Sequence, residues 1–168
     1  MIHEIKGLQP VSKNCFVCGV DNAMGLHTHF YETEQGELIA ICTPKPEHQS
    51  YPGRLHGGVA SALLDETIGR AICISHGDMV WGVTIELTLK YRKPVPYGEP
   101  LRVVGRITAD RGRLFEGSGE IYLPSGEVAV EAKGLYMKQN IEKIAGADFA
   151  EKEWGIYLNL DVPKTIKL

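Results

Sequence analysis

The triplet His56-Gly57-Gly58 stands directly before an apolar run that carries an acidic pair, Asp65-Glu66, and here the sequence concentrates residues able to do chemistry. Two glycines at a helix start let a ligand approach backbone N–H groups that have no intrahelical acceptor, in the positive field of the helix N-terminus. That is an oxyanion hole in outline. A tight turn into the helix would use the same glycines, so they decide nothing alone. The acids say more, because an uncompensated carboxylate in a buried apolar helix costs on the order of several kcal/mol. Glu66 has Arg70 four residues on, in the orientation that favours an ion pair, and reads as structural. Asp65 has Ser61, Ala62, Ile68 and Gly69 as its helical neighbours. Ser61 is the local partner that could make it structural; otherwise the face is small and apolar, with room for a substrate. Asp65 is therefore the candidate catalytic acid.

Gly58 and Asp65 are seven positions apart, which on one helix is about 10 Å along the axis. One carbonyl carbon does not sit easily beside both. If they act together, two copies of the helix must lie antiparallel, the Gly58 end of one facing Asp65 of the other. A two-fold homodimer with shared sites provides that.

The elements that must position these residues read as follows. The run from Gly57 to Ser75 holds no proline, repeats apolar residues at helical spacing and predicts one long buried helix. Strand patterns cover Glu37 to Cys42, Val80 to Tyr91, Pro100 to Thr108, Leu114 to Leu123 and Glu127 to Lys138. Turns at Pro96-Tyr97-Gly98, Asp110-Arg111-Gly112 and Pro124-Ser125-Gly126 join the last four into an antiparallel meander. One buried helix before such a meander is an α+β pattern, with the sheet curled around the helix. Residues 1–35 read as an irregular segment packed on the domain, 36–140 as the domain, and 141–168 as a tail with one helical turn near Phe149 to Trp154.

The bulk properties narrow the function. The 168 residues suit one domain, 43% are hydrophobic and 23% charged, and the net charge is −3, which disfavours disorder and a nucleic-acid partner. No apolar run is long enough for a membrane span, since Asp65, Glu66 and Arg70 interrupt the longest. The start MIHEIKGLQP lacks a signal-peptide pattern and four cysteines do not suggest a disulfide scaffold, so the expected location is cytoplasmic.

With these residues in view the chain resembles the hotdog-fold acyl-CoA thioesterases of the PaaI-like group. The likeness runs from about Asn14 to Lys138. It rests on Asn14-Cys15-Phe16-Val17-Cys18-Gly19 with Asn22 and Gly25-Leu26, on His56-Gly57-Gly58 with Asp65, Thr67 and Gly69, and on Tyr91-Arg92-Lys93-Pro94-Val95-Pro96. The resemblance implies a hotdog fold, a long central helix wrapped by a curved antiparallel sheet of about five to six strands, in dimers and sometimes tetramers. It implies Asp65 as nucleophile or general base and the Gly58 N–H as the group polarising the thioester carbonyl, with Gly57 and His56 shaping the turn. Thr84 falls where relatives keep a hydroxyl that orients the carboxylate or water.

Thioester hydrolysis needs a donor at the carbonyl oxygen and an acidic group near the carbon, and no cofactor. A coenzyme A leaving group also needs cations for its phosphates, for which Lys90, Arg92 and Lys93, with Arg111 and Arg113 at a hairpin, are the candidates. Strand alternation puts Lys90 and Arg92 on one face with Thr88. Trp81 either lines an acyl pocket or fills the core. Cys15 and Cys18 form a CxxC pair that His27 and His29 could extend to four zinc ligands, but the spacing is not that of a finger, and buried structural thiols are the preferred reading over zinc or a redox pair. Two other functions compete. A hydratase or dehydratase on this fold would want a catalytic histidine, for which only His56 is placed. A non-catalytic acyl-CoA sensor would be expected to lose the carboxylate or add a DNA-binding module.

Overall fold

A computed structural model describes residues 1–155, 158 and 160–168. The chain forms β1 (Ile2–Leu8), β2 (His29–Thr33), β3 (Leu38–Cys42), α1 (Gly57–Arg70), α2 (Cys73–His76), β4 (Val80–Tyr91), β5 (Leu101–Arg111), β6 (Leu114–Tyr122), β7 (Val128–Asn140), α3 (Ile141–Ala145), α4 (Phe149–Lys152) and β8 (Thr165–Lys167). The strands make one antiparallel sheet in the order β4-β7-β6-β5-β3-β2-β1-β8.

Ala60, Leu63, Leu64, Thr67 and Ile68 of α1 are buried, and their spacing makes one stripe that the sheet covers. The approach is close because glycines face the helix. A Cβ on Gly105 would lie 2.7 Å from the Thr67 carbonyl oxygen, and one on Gly117 2.4 Å from the Ile68 side chain. The sheet therefore bends onto α1 at β5 and β6.

Three expectations need correction. The predicted helix from Gly57 to Ser75 ends at Arg70: the Ala71 N–H turns back to the Ile68 carbonyl, and a separate short turn follows at Cys73–His76. Ala71, Ile72 and Cys73 are all buried, so the apolar run continues past the point where the helix stops. Among the described residues the sheet has eight strands rather than five to six. Residues read as irregular supply β1 and β2, and the tail supplies β8, which pairs with β1. These strands build a second apolar cluster, Tyr31, Ile39, Val104 and Ile166. Among the described residues no helix is long and apolar enough to cross a membrane.

Candidate active site

Asp65 lies on the flank of α1 that faces β4, half-buried. Thr84 donates its hydroxyl to Asp65 Oδ1 at 2.8 Å, and Tyr136 donates its phenol to the same oxygen at 3.1 Å. Thr84 and Tyr136 are cross-strand partners on β4 and β7. Immediately after Thr84 the pairing skips Ile85, so that Glu86 faces Leu135. This bulge changes which residues turn inward: Thr84 before it and Leu87 after it both reach α1's side of the sheet. The local serine, Ser61, is not the acid's partner.

Room for Tyr136 comes from missing side chains. A Cβ on Gly134 would lie 2.4 Å from its ring and one on Gly69 3.3 Å, and Phe115 stacks on it at 5.0 Å. Burial, followed by the charge of Asp65 and the hydrogen bond to it, pushes the Tyr136 phenol well above its ordinary value. It therefore stays protonated and remains a donor across the working pH range. Asp65, Glu66, Gly69, Trp81 and Thr84 line a cavity of about 200 Å³. No cation pairs with Asp65 among the described residues.

Thr84 and Tyr136 together fix the orientation of the carboxylate. Replacing Tyr136 by phenylalanine is therefore expected to lower kcat by about tenfold with KM little changed. An unchanged kcat in the folded variant would show that the phenol only packs.

Glu66 behaves as its spacing predicts. Arg70 Nε donates to it at 2.9 Å, and the Cys15 thiol donates to its other oxygen at 3.2 Å. The Arg70 guanidinium is buried, bonded also to the Pro10 carbonyl and to Cys18 Sγ, with the rings of Phe30, Trp81 and Trp154 within 5 Å. Trp81 is both core and cavity wall: its indole N–H donates to the Asp78 carbonyl and its ring meets Trp154 edge-on.

The glycine end differs in one respect from the sequence reading. His56 caps α1, its Nδ1 accepting the Gly58 N–H at 2.9 Å, while the Val59 and Ala60 amides both donate to the His56 carbonyl. The Gly58 amide is therefore occupied until the exposed imidazole swings away, at the cost of about 1 kcal/mol of capping. Gly57, at the first helical position, offers the neighbouring amide, and Tyr91 donates to its carbonyl at 2.8 Å. A cavity of about 360 Å³ opens here, walled by Arg54, Gly57, Ala60, Tyr91, Arg92 and Lys93.

The basic candidates fall into two groups. Arg92 is paired with Glu131 at 2.9 Å, Lys93 with Glu127, and Lys90 is exposed, all near the glycine end. Arg111, 3.9 Å from Glu116, and the exposed Arg113 lie at the β5–β6 hairpin, beside the other end of β4 through β7. A single chain does not bring the two groups together. Arg54 and Tyr136 went unnoticed in the sequence. The pattern Gly134-Leu135-Tyr136 opposite Gly69 was the available signal for the tyrosine, whereas nothing marked Arg54. A separate concavity of about 530 Å³ among Glu86, Thr88, Glu116, Ser118 and Lys133 is on the sheet face turned away from α1 and from Asp65.

His27 and His29 do not join the cysteines. The metal-capable group among the described residues is Cys15, Cys18 and Glu66. His27 instead bonds the Asn22 carbonyl, and Cys42 and Cys73 are core residues.

The family model described as the thioesterase superfamily matches residues 52–130, the stretch that holds the glycine turn, Asp65 and Thr84. This stretch is similar to a thioesterase-superfamily domain. The superfamily protein RHA08564 has a solved structure with 30% identity and a TM-score of 0.69, over 76% of this chain and 64% of that one. The fold is thus the hotdog fold of the superfamily. Acyl-coenzyme A thioesterase THEM4 of Xenopus laevis is 27% identical over 143 residues, 82% of this chain and 63% of the relative. The chain thus spans just under two thirds of that relative's length. The BH2602 protein of Bacillus halodurans, whose structure was solved with CoA, is 26% identical with a TM-score of 0.55, over 60% of this chain and 66% of that one.

Proposed function

We propose that the chain hydrolyses acyl-coenzyme A thioesters to a free carboxylic acid and coenzyme A, as a homodimer whose two sites are each shared between subunits. The observation that carries this reading is the Asp65 carboxylate, held by two hydroxyl donors at the edge of an open cavity and unpaired with any cation among the described residues. The likeness to the superfamily, the name of the Xenopus laevis relative and the CoA in the Bacillus halodurans structure support the substrate class.

Asp65 acts as nucleophile or as general base toward water; both use the free Oδ2 while Oδ1 is held. The negative charge that develops on the thioester oxygen is met by the amides of Gly57 and Gly58 at the start of a second copy's α1. Edge strand β4 supports that pairing. It runs for 12 residues with Ile85 and Tyr91 exposed, and among the described residues its outer edge has no partner strand, the kind of edge that recruits another. Antiparallel β4–β4 pairing would bring the Arg111–Arg113 hairpin of one copy toward Lys90, Arg92 and Lys93 of the other, a cationic rim for the coenzyme A phosphates. Trp81 would meet the acyl group. Four free cysteines fit a reducing compartment such as the cytoplasm.

The test is a thiol-release assay over short, medium, long and aryl acyl-CoA thioesters, paired with the matching acyl-pantetheine thioesters. At least one acyl-CoA should be turned over, with kcat/KM about ten- to a hundredfold above its pantetheine analogue at low salt. Inactivity on every thioester would contradict hydrolysis. Equal efficiency on both leaving groups would remove the basic residues from the site.

A further inference from the structure

The Cys15–Cys18 turn lies outside the hydrolytic chemistry but touches it through Glu66. The Gly19 N–H donates to the Cys15 carbonyl at 2.8 Å, and a Cβ on Gly19 would lie 2.4 Å from that oxygen. The turn is therefore tight and depends on that glycine. Its two sulfurs and a Glu66 oxygen all lie within 4.8 Å of one another, and a single turn holds the two Cα atoms within the span that a disulfide bridges.

The two thiols are unequal. Cys18 is buried, and Arg70 Nη2 donates to its sulfur at 3.1 Å. Cys15 is partly exposed, and its sulfur accepts the Val17 N–H at 3.2 Å. The hydrogen bond from Cys18, helped by backbone amides, holds the Cys15 thiol below its ordinary value, against the opposing effects of burial and Glu66. The same hydrogen bond, with burial, pushes Cys18 up. An accessible, more acidic thiol beside a buried partner is the division of labour between attacking and resolving thiols. The three donors could also hold a cation. Arg70 already places a fixed positive charge on two of them, Cys18 and Glu66, and repels a second cation.

We propose that Cys15 and Cys18 form a thiol–disulfide exchange site that takes a low-molecular-weight disulfide, RSSR. Cys15 passes its proton to Glu66, and its thiolate attacks one sulfur of RSSR, breaking the S–S bond and expelling RS⁻. Cys18 then loses its proton, and its sulfur displaces the second RS⁻ from the mixed disulfide, closing Cys15–Cys18. Two thiols of the chain are oxidised, RSSR is reduced to two RSH, and the two protons leave on those thiols. Closure removes the S–H donor from Glu66, next to Asp65 on α1.

The native full-length chain, reduced and then dialysed metal-free, is equilibrated in a series of oxidised and reduced glutathione mixtures. It is quenched in acid, unfolded, alkylated and mapped by peptide mass spectrometry. The expected result is joint loss of two alkylatable thiols at Cys15 and Cys18, as one intramolecular disulfide restored fully by dithiothreitol. Retention of all four thiols across the series would overturn the proposal, as would a disulfide that maps elsewhere. Cys18→Ser keeps an acceptor for Arg70 and should stop at a mixed glutathione disulfide on Cys15; absence of that adduct in the folded variant would also overturn it. A parallel sample incubated with zinc should alkylate like the metal-free protein. Stoichiometric zinc that protects both thiols would instead make the cluster a metal site.

Discussion

Asp65→Asn is expected to lower thioester hydrolysis by about a thousandfold while leaving the fold and the proposed dimer intact. The amide keeps the shape of the carboxylate and still accepts from Thr84 and Tyr136, but it neither attacks a carbonyl nor takes a proton from water. The loss should fall on kcat, since the substitution leaves the cavities and basic residues that would bind substrate in place. Circular dichroism and gel filtration establish that the variant is folded and assembled, and steady-state thiol release gives the rate. Near-normal turnover in a folded Asp65→Asn protein would remove the carboxylate from the mechanism.

The second large effect concerns the scaffold. In Gly105→Val the new Cβ meets the Thr67 carbonyl oxygen at 2.7 Å and its carbon at 2.9 Å. Both are backbone atoms in the last turn of α1, so neither moves without shifting the helix. The cost is about 3 kcal/mol, roughly a 10 °C fall in Tm. Because α1 carries Asp65 against Thr84, activity should fall as well. Gly98→Ala is a useful contrast: Gly98 has φ 82° but open space around it, so the substitution should cost only about 1 kcal/mol of backbone strain. Equal thermal stability of Gly105→Val and the parent would show that α1 is not clamped by the sheet.

Much of the candidate site's geometry was legible because it is local. The glycine turn, Asp65 and the Glu66–Arg70 pair are set by spacing along one helix, and β4 was bounded correctly by its alternation between Val80 and Tyr91. What escaped depends on distant partners. Tyr136 looks like any strand aromatic until Gly69 and Gly134 are seen to clear its place beside Asp65. β8 is three residues long and has no pattern of its own; it forms because Ile166 packs with Tyr31, Ile39 and Val104. β1 and β2 were obscured by Gly7, which sits at a bulge inside β1, and by Pro10, Gly19 and Gly25, which lie between the two strands. The His56 cap on Gly58 was equally invisible, since any N-cap acceptor at that position would have the same sequence spacing.

If Asp65 of one subunit works with the start of α1 from another, mixing two inactive variants should restore activity. Gly57→Pro removes one amide and places a ring beside the other. His56, at φ −63° and ψ 134°, already has the conformation that precedes proline, and the first helical position tolerates it. Asp65→Asn and Gly57→Pro homodimers should each be nearly inactive. Co-refolded in equal amounts, they form heterodimers with one intact shared site, and about a quarter of parental activity should return. Absence of any recovery in verified heterodimers would contradict the shared site and return both functions to a single chain.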